Sequence, residues 1–238
     1  MELLQNRKVL IVGATGDIGA ETARLLHSNK AVVYLTGRDT AKLNEVGDRI
    51  GIPADRRFTL DITDRDAVQD VAEQLHGTLN QVDILVNAAG IGIIKPIDQL
   101  SYEEFDRSID TNLKGTFYLL KSFLPPMKEA KKGLIINIPG VLGKAPMAGA
   151  SAYAASKYGL NGMLKSVREE LKRTRIRITN LYLGGVDSAF WDNIDLRVQR
   201  DKMITAKEAA RAVWFLCQQP SSGVVSEMVV QPFNHQVL

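Results

Sequence analysis

The sequence has a single cysteine, Cys217, among its 238 residues, so an internal disulfide is excluded. This cysteine follows an apolar run at 212–216, which predicts a buried thiol without a chemical role. Long hydrophobic runs are also lacking, since none approaches the roughly 20 residues needed to cross a bilayer. The first residues show no apolar segment typical of a signal peptide. We therefore expect a soluble, cytoplasmic protein with no membrane partner.

An excess of charge of one sign is also missing, because 30 basic residues face 27 acidic ones and the formal net charge is only +3. The densest basic run, at 172–177, follows two glutamates and is typical of a solvated helix end. No nucleic-acid partner is expected from this pattern. No metal site is predicted either.

Short apolar segments rich in β-branched residues alternate with segments of helical period along the whole chain. The predicted strands are 8–12, 31–35, 57–60, 83–86, 133–138, 176–183 and 227–231. Predicted helices include 40–50, 64–75, 102–127, 152–171 and 206–217. This alternation indicates one α/β domain over residues 1–238, with a parallel sheet of about seven strands covered by helices on both faces. Ligands of such sheets bind beyond the carboxyl ends of the strands.

Tyr153 and Lys157 are four residues apart in an alanine-rich segment, so a helix places them on one face. A neighbouring ammonium lowers the pKa of a phenol and lets it exchange a proton near neutral pH. The pair is therefore a candidate acid/base unit. The alternative is an aromatic ring lying along a lysine stem on a solvated helix.

Candidate cofactor contacts follow the first two strands. The turn after the first strand is rich in glycine and opens a helix, which is typical of a phosphate-binding turn; its residues are Gly13, Thr15, Gly16, Asp17, Ile18 and Gly19. Arg38 follows the second strand, where a carboxylate suits NAD and an arginine suits the 2′-phosphate of NADP. We expect NADP (NADPH) rather than NAD, unless Arg38 is simply an exposed surface residue.

Two further strand ends carry candidates. Asp61 and Ile62 follow the third strand and could contact an adenine, although Asp61 could instead cap the next helix. Asn87, Ala88 and Gly90 follow the fourth strand and offer small residues where a cofactor ribose would pass close to the backbone.

These elements, followed in order by Asn112, Tyr153, Lys157 and Gly184, resemble the short-chain dehydrogenase/reductase family over nearly the whole sequence. The resemblance implies a Rossmann-type fold and a small-molecule carbonyl or alcohol substrate. It implies that Tyr153 protonates the carbonyl, that Lys157 assists it, and that Asn112 holds a water that relays protons to Lys157. The alternative for Asn112 is a solvent-facing or capping residue.

The resemblance also implies a loop over the nicotinamide, formed by Gly184, Val186 and Ser188. The segment 188–203 is expected to be a lid, in which Phe190 and Trp191 form an apolar wall unless they serve core packing. A homotetramer or homodimer is implied, built on the helices around Tyr118 and Leu160.

The sequence departs from the family pattern at three positions. Asp17 replaces a glycine of the turn, and Leu183 stands where a proline is usual. Gly140 occupies the position of the family's catalytic serine, on the substrate side together with Leu142. Ser151 is the nearest hydroxyl in sequence, but it is expected to point elsewhere, and a water is the other possible substitute.

Two hypotheses about function remain open. The first is an NADP(H)-dependent oxidoreductase that works without the serine. The second is an NADP(H)-binding sensor or scaffold of the same fold without significant turnover.

Overall fold

The computed structural model describes residues 3–220, 222–236 and 238. Seven strands form one sheet: β1 (Lys8–Val12), β2 (Val32–Gly37), β3 (Arg57–Thr59), β4 (Ile84–Asn87), β5 (Gly133–Asn137), β6 (Ile176–Leu183) and β9 (Glu227–Val230). Their order in the sheet is β3-β2-β1-β4-β5-β6-β9, and every neighbouring pair is parallel. The predicted parallel sheet of about seven strands is confirmed.

The α-helices of the described residues are α1 (Asp17–Ser28), α2 (Thr40–Ile50), α3 (Arg65–Leu79), α4 (Tyr102–Ile109), α5 (Gly115–Glu129), α6 (Ser151–Leu171) and α7 (Ala206–Cys217). All of them except α4 cover the two faces of the sheet, and α4 packs against α6. Alternate residues of each strand point to opposite faces. Val9 and Ile11 pack with α1, α2 and α7, whereas Leu10 and Val12 pack with α3, α5 and α6. Burial on both faces explains why the strands are continuous apolar runs.

The strand order reverses between β1 and β4, because the chain winds outward from β1 in one direction and from β4 in the other. A crevice opens at such a switch point, at the carboxyl ends of the strands. The residues that line the cavity of the protein lie at this edge of the sheet.

The single helix predicted over 102–127 is wrong in two respects. A π-helical segment, Asp110–Lys114, separates α4 from α5 and contains Asn112. The chain also stays helical to Glu129, with Pro125 and Pro126 inside α5. The prolines remove two backbone donors, but burial of neighbouring side chains such as Met127 keeps the last turn in place.

Two short strands, β7 (Val186–Asp187) and β8 (Ile204–Thr205), pair with each other and were not predicted. Because these two strands flank the segment 188–203, their pairing holds the two ends of that segment next to each other. The bounds predicted for β1, β6, α2 and α7 are confirmed, whereas those of the other predicted elements differ by up to four residues at an end. The buried thiol is confirmed, since Cys217 is buried and its burial raises its pKa to about 12.

Within the described part of the chain, none of the helices combines the length and the apolar character that crossing a bilayer requires.

Candidate active site

A cavity of about 740 Å³ opens at the carboxyl ends of the strands. Its lining brings together many of the residues singled out in the sequence. These are Ile18, Ala88, Gly90, Gly140, Leu142, Tyr153, Lys157, Gly184, Val186, Ser188, Phe190 and Trp191. The remaining candidates lie at the same edge of the sheet but do not line this cavity.

Tyr153 and Lys157 lie one turn apart on α6, with the Lys157 Nζ 5.4 Å from the centre of the Tyr153 ring. Lys157 is buried, with 3% of its surface exposed, and burial lowers its pKa to about 8. Burial raises the pKa of Tyr153, which is opposite to the lowering expected from the lysine. Loss of solvation of the phenol is the cause of this rise.

Asn112 joins the π-helical segment to α6. Its Nδ2 donates to the Ile91 carbonyl at 3.0 Å and to the Ser156 Oγ at 2.9 Å, and its Oδ1 accepts from the Ile91 N–H at 2.9 Å. Asn112 is therefore buried and bonded, and the solvent-facing alternative is wrong. Ser156 donates in turn to the Tyr153 carbonyl at 2.7 Å.

Sequence reasoning missed Ser156, although a serine between the tyrosine and the lysine of a helix was a visible signal. Both Asn112 Oδ1 and Lys157 Nζ flank Gly90, since a Cβ on that glycine would lie 3.0 Å and 3.2 Å from them. The side-chain amide of Asn112 thus fixes the position of α6, the helix that carries Tyr153 and Lys157.

Gly140 faces the tyrosine hydroxyl. A Cβ built at this position would lie 3.5 Å from the Tyr153 Oη, which is ordinary contact and leaves room for a small side chain. Its backbone angles, φ 73° and ψ 165°, belong to a region that is essentially restricted to glycine. The loop has thus taken a conformation that a serine would not share. Ser151 is exposed at the first turn of α6 and does not line the cavity.

The glycine turn after β1 leaves no space for a side chain at Gly13 or at Gly19. A Cβ on Gly13 would lie 2.7 Å from the Ala89 nitrogen, and one on Gly19 would lie 2.2 Å from the Gly13 carbonyl oxygen. The turn is therefore packed directly against the backbone that follows β4. Gly16, at the N-cap of α1, provides no side-chain cap, so the first N–H groups of that helix remain available. These features fit the pyrophosphate of a dinucleotide.

Asp17 links this turn to the lid. Its Oδ2 accepts a hydrogen bond of 2.7 Å from the backbone N–H of Ala189. The Asp17 carboxylate therefore bonds the lid, and α1 has no side-chain cap at its N-terminus.

Arg38 is exposed at the end of β2, next to the turn. Gly37, the last residue of β2, packs against the glycine turn, because a Cβ added to it would lie 2.7 Å from the Thr15 Cγ2. The adjacent carboxylate, Asp39, accepts from the Lys42 N–H at 3.0 Å and caps α2. The carboxylate nearest in sequence is therefore engaged, whereas the arginine is open to solvent.

The residues after β3 and β4 have distinct roles. Asp61 accepts from the N–H and hydroxyl of Thr63, and Asp64 caps α3, so the capping alternative for Asp61 is wrong. Ile62 is buried, and its side chain packs beneath the backbone of α5. Asn87 is also buried and bonds to Thr116 at 2.9 Å, so its side chain fixes the sheet to α5.

The lid rests on the tyrosine. The Phe190 ring lies 5.9 Å from the Tyr153 ring and 5.2 Å from the Trp191 ring, centre to centre. Phe190 also occupies the space over Gly92, where a Cβ would lie 2.1 Å from its Cζ. The Trp191 Nε1 donates to the Val186 carbonyl at 2.9 Å, and the buried Ser188 hydroxyl donates to the same carbonyl. The segment that carries this apolar wall is therefore held in place by hydrogen bonds to the Val186 carbonyl.

Several cavity-lining residues were not predicted, among them Arg197, Lys202 and His235. No local pattern in the sequence singled them out, because long connections and a chain end bring them to the site. Among the residues that the structure describes, no group of three or more His, Cys, Asp or Glu side chains could hold a metal ion.

Comparisons with known proteins show the family and the fold of the chain. Residues 7–199 match the sequence profile of the short chain dehydrogenase family. An uncharacterized oxidoreductase from Staphylococcus saprophyticus is 32% identical over 96% of this chain and 98% of its own. A metagenomic short-chain oxidoreductase solved in complex with NADP is 33% identical, with a TM-score of 0.83 over 98% of this chain and 100% of that one. Serine dehydrogenase from Escherichia coli is 28% identical, with a TM-score of 0.85 over 96% of this chain and 99% of that one.

Proposed function

Because the chain belongs to the short chain dehydrogenase family, we propose that it is an NADP(H)-dependent oxidoreductase that interconverts a carbonyl and an alcohol by hydride transfer. The observation that carries this proposal is the position of Tyr153. It lines the cavity with its hydroxyl oxygen beside Gly140, and the Lys157 Nζ lies 5.4 Å from the centre of its ring. An acid is thus available where the oxygen of a bound carbonyl would gain a proton.

In the reducing direction, NADPH when bound supplies a hydride to the carbonyl carbon, and the products are an alcohol and NADP⁺. The Tyr153 Oη donates its proton to the carbonyl oxygen. The resulting phenolate regains a proton from the Lys157 Nζ, whose pKa of about 8 suits exchange near neutral pH. Asn112 Oδ1 keeps one acceptor position near Gly90, where a water could resupply Lys157.

The residues at the end of β2 support the proposed preference for NADP over NAD. Arg38 is open to solvent, while Asp39 is engaged as a helix cap. The Arg38→Ala variant should lose about tenfold or more in NADPH affinity, as expected for a charge-assisted contact, and keep its NADH affinity. Fluorescence titration of both cofactors measures this. Tighter binding of NADH than of NADPH by the unmodified protein would overturn the assignment to NADP.

A second candidate is a cofactor-binding protein without turnover, and Gly140 is the observation that favours it. Loss of one donor to a developing oxyanion typically costs about 10²–10³ in rate. The loop conformation at Gly140 also disfavours a simple return to serine, since a non-glycine residue there costs roughly 1–3 kcal/mol.

One assay separates the two candidates. The protein is incubated with NADPH and a panel of ketones, aldehydes and oxo acids, and cofactor oxidation is followed. Turnover of any carbonyl by the unmodified protein, lost in Tyr153→Phe, supports the enzyme. Tight NADPH binding with no turnover, together with a gain of activity in Gly140→Ser, would instead support the sensor or scaffold.

A homodimer or homotetramer is part of the proposal. Phe117 on α5 and Tyr158 on α6 expose large apolar surface, whereas Leu160 is buried in the core. The exposed aromatic residues support an interface between copies of these two helices. Light scattering tests it, and a monomeric mass would contradict it.

A further inference from the structure

The cavity lining contains basic side chains and, among the described residues, no carboxylate. Lys157, Arg197, Lys202 and His235 line it, and no aspartate or glutamate of the described residues does so. The composition does not explain this bias, because the sequence has nearly as many acidic as basic residues. The cavity therefore presents positive charge to whatever enters it.

The basic side chains of the lid segment differ in whether they pair with carboxylates. Arg200 donates to Asp187 at 2.6 Å and to Asp192 at 2.7 Å, so its guanidinium is paired with carboxylates outside the cavity lining. Arg197 and Lys202 line the cavity instead, and neither forms a salt bridge with any residue that the structure describes. Two cations of one short segment are thus left for a ligand.

Arg197 and Lys202 belong to the lid segment and not to the glycine turn. The pyrophosphate is expected at the glycine turn, where Asp17 adds a negative charge near the base of the lid. Arg197 and Lys202 share the cavity with Tyr153 and with an apolar wall. That wall includes Ile94, Leu142, Met147, Phe190 and Leu196.

We propose that this site takes an anionic substrate, an oxo acid or the corresponding hydroxy acid, whose carboxylate is bound by Arg197 and Lys202. The apolar wall contacts the carbon chain, and the oxo group reaches the Tyr153 hydroxyl. The inference rests on the proposed function, since it names the substrate class of the same site.

The first test compares acids with their methyl esters, which share the reacting carbonyl but lack the charge. The probes are 3-oxobutanoate, 4-oxopentanoate and 5-oxohexanoate with their methyl esters, and NADPH oxidation is measured. The unmodified protein should reduce at least one acid with a kcat/KM about tenfold or more above that of its ester. Arg197→Met and Lys202→Met should each raise KM for the acid about tenfold more than KM for its ester.

Arg200→Met is the matched control, because it removes a neighbouring cation whose partners lie outside the cavity. It should change acid and ester alike. Esters reduced as well as the acids would overturn the anionic site while leaving hydride transfer in place.

A second measurement does not depend on turnover. Binding of pentanoate and of pentanamide to the NADP⁺-loaded protein is followed by calorimetry. Pentanoate should bind more tightly, and the preference should disappear in Arg197→Met and Lys202→Met. Such binding without any carbonyl reduction would refute the proposed oxidoreductase and support the anionic site, whereas equal binding of acid and amide would refute the anionic site.

Discussion

The two halves of the cavity edge are made in opposite ways. The half at the ends of β1 to β4 depends on missing side chains, since Gly13 and Gly19 let the turn pack against neighbouring backbone. The half at β5, α6 and the lid depends on side-chain groups, with Tyr153, Lys157 and Phe190 placed around an open space. Adding a side chain should therefore disrupt the half at β1 to β4, whereas truncating a side chain should disrupt the half at β5, α6 and the lid.

This contrast explains how the two main departures from the family pattern are accommodated. Asp17, in the glycine-rich half, points its carboxylate outward and gains a bond to the lid at Ala189. Gly140, in the side-chain half, removes a hydroxyl and leaves the backbone in a conformation that suits glycine. The first departure adds a contact, whereas the second leaves space beside the tyrosine.

The largest expected effect is the loss of activity when the Tyr153 hydroxyl is removed from the half of the cavity edge that depends on side chains. Tyr153→Phe should lower kcat by about 10³, within the range for loss of a general acid, and leave NADPH affinity nearly unchanged. Steady-state NADPH oxidation and fluorescence titration measure the two quantities. Tyr158→Phe removes the same atom from an exposed tyrosine of the same helix and should be neutral. Activity retained within tenfold in Tyr153→Phe would exclude this residue as the acid.

The next effect comes from adding one carbon to the other half. Gly19→Ala forces a Cβ to within 2.2 Å of the Gly13 carbonyl oxygen, so the turn must shift. We expect a loss of about 1–3 kcal/mol in the free energy of unfolding, with NADPH affinity reduced at least about tenfold.

Gly77→Ala is the matched control for that change. Gly77 lies in α3, and a Cβ there meets nothing within 4 Å. The variant should gain about 0.5–1 kcal/mol from the better helix propensity. Urea unfolding compares the two variants. If Gly19→Ala were as stable as Gly77→Ala and bound NADPH normally, the close-packed turn would not be required.

Burial of Lys157 gives a smaller effect with a defined pH window. Because its pKa falls from the ordinary lysine value of 10.5 to about 8 in the folded chain, the unfolded chain binds more protons between those values. The free energy of unfolding should therefore rise with pH across about 8 to 10.5. Below that window, the buried charge lowers stability.

The Lys157→Met variant tests this sign. It should be more stable than the unmodified protein at pH 7, by about 1–3 kcal/mol, and the difference should shrink above pH 8. Urea unfolding at several pH values measures the difference. Lys165→Met controls for the loss of a more exposed lysine from the same helix. A variant less stable than the unmodified protein at pH 7 would show that the ammonium contributes net stabilisation.

Local patterns predicted the sheet and the residues at its edge well, because buried strands and glycine turns are local features. The alternation of strand and helix gave the seven strands, and the spacing of Tyr153 and Lys157 gave their common face. The π-helical segment around Asn112 was not predictable in this way, since its form depends on bonds to Ile91 and Ser156 that lie far along the chain.

The sequence also could not predict how deeply an ionisable group is buried or which charges meet in the folded chain. The spacing of the pair suggested a lowered tyrosine pKa, but the depth of burial decides the direction and raises it. Arg197 and Lys202 could not be told apart from Arg200, because only the folded lid shows which of the three cations meets carboxylates.

The smallest effect concerns the point where the two halves meet. Asp17→Asn removes the charge but keeps an oxygen that can accept from the Ala189 N–H, whereas Asp17→Ala removes both. Since the carboxylate lies near the expected pyrophosphate, both variants should bind NADPH about two- to fivefold more tightly at low salt, and the gain should shrink at high salt. Only Asp17→Ala should also change kcat, because it frees the lid from the turn. Fluorescence titration at two ionic strengths and steady-state kinetics measure these effects. If Asp17→Asn bound NADPH more weakly, the carboxylate would be assisting the cofactor, and the departure at this position would be an adaptation for binding.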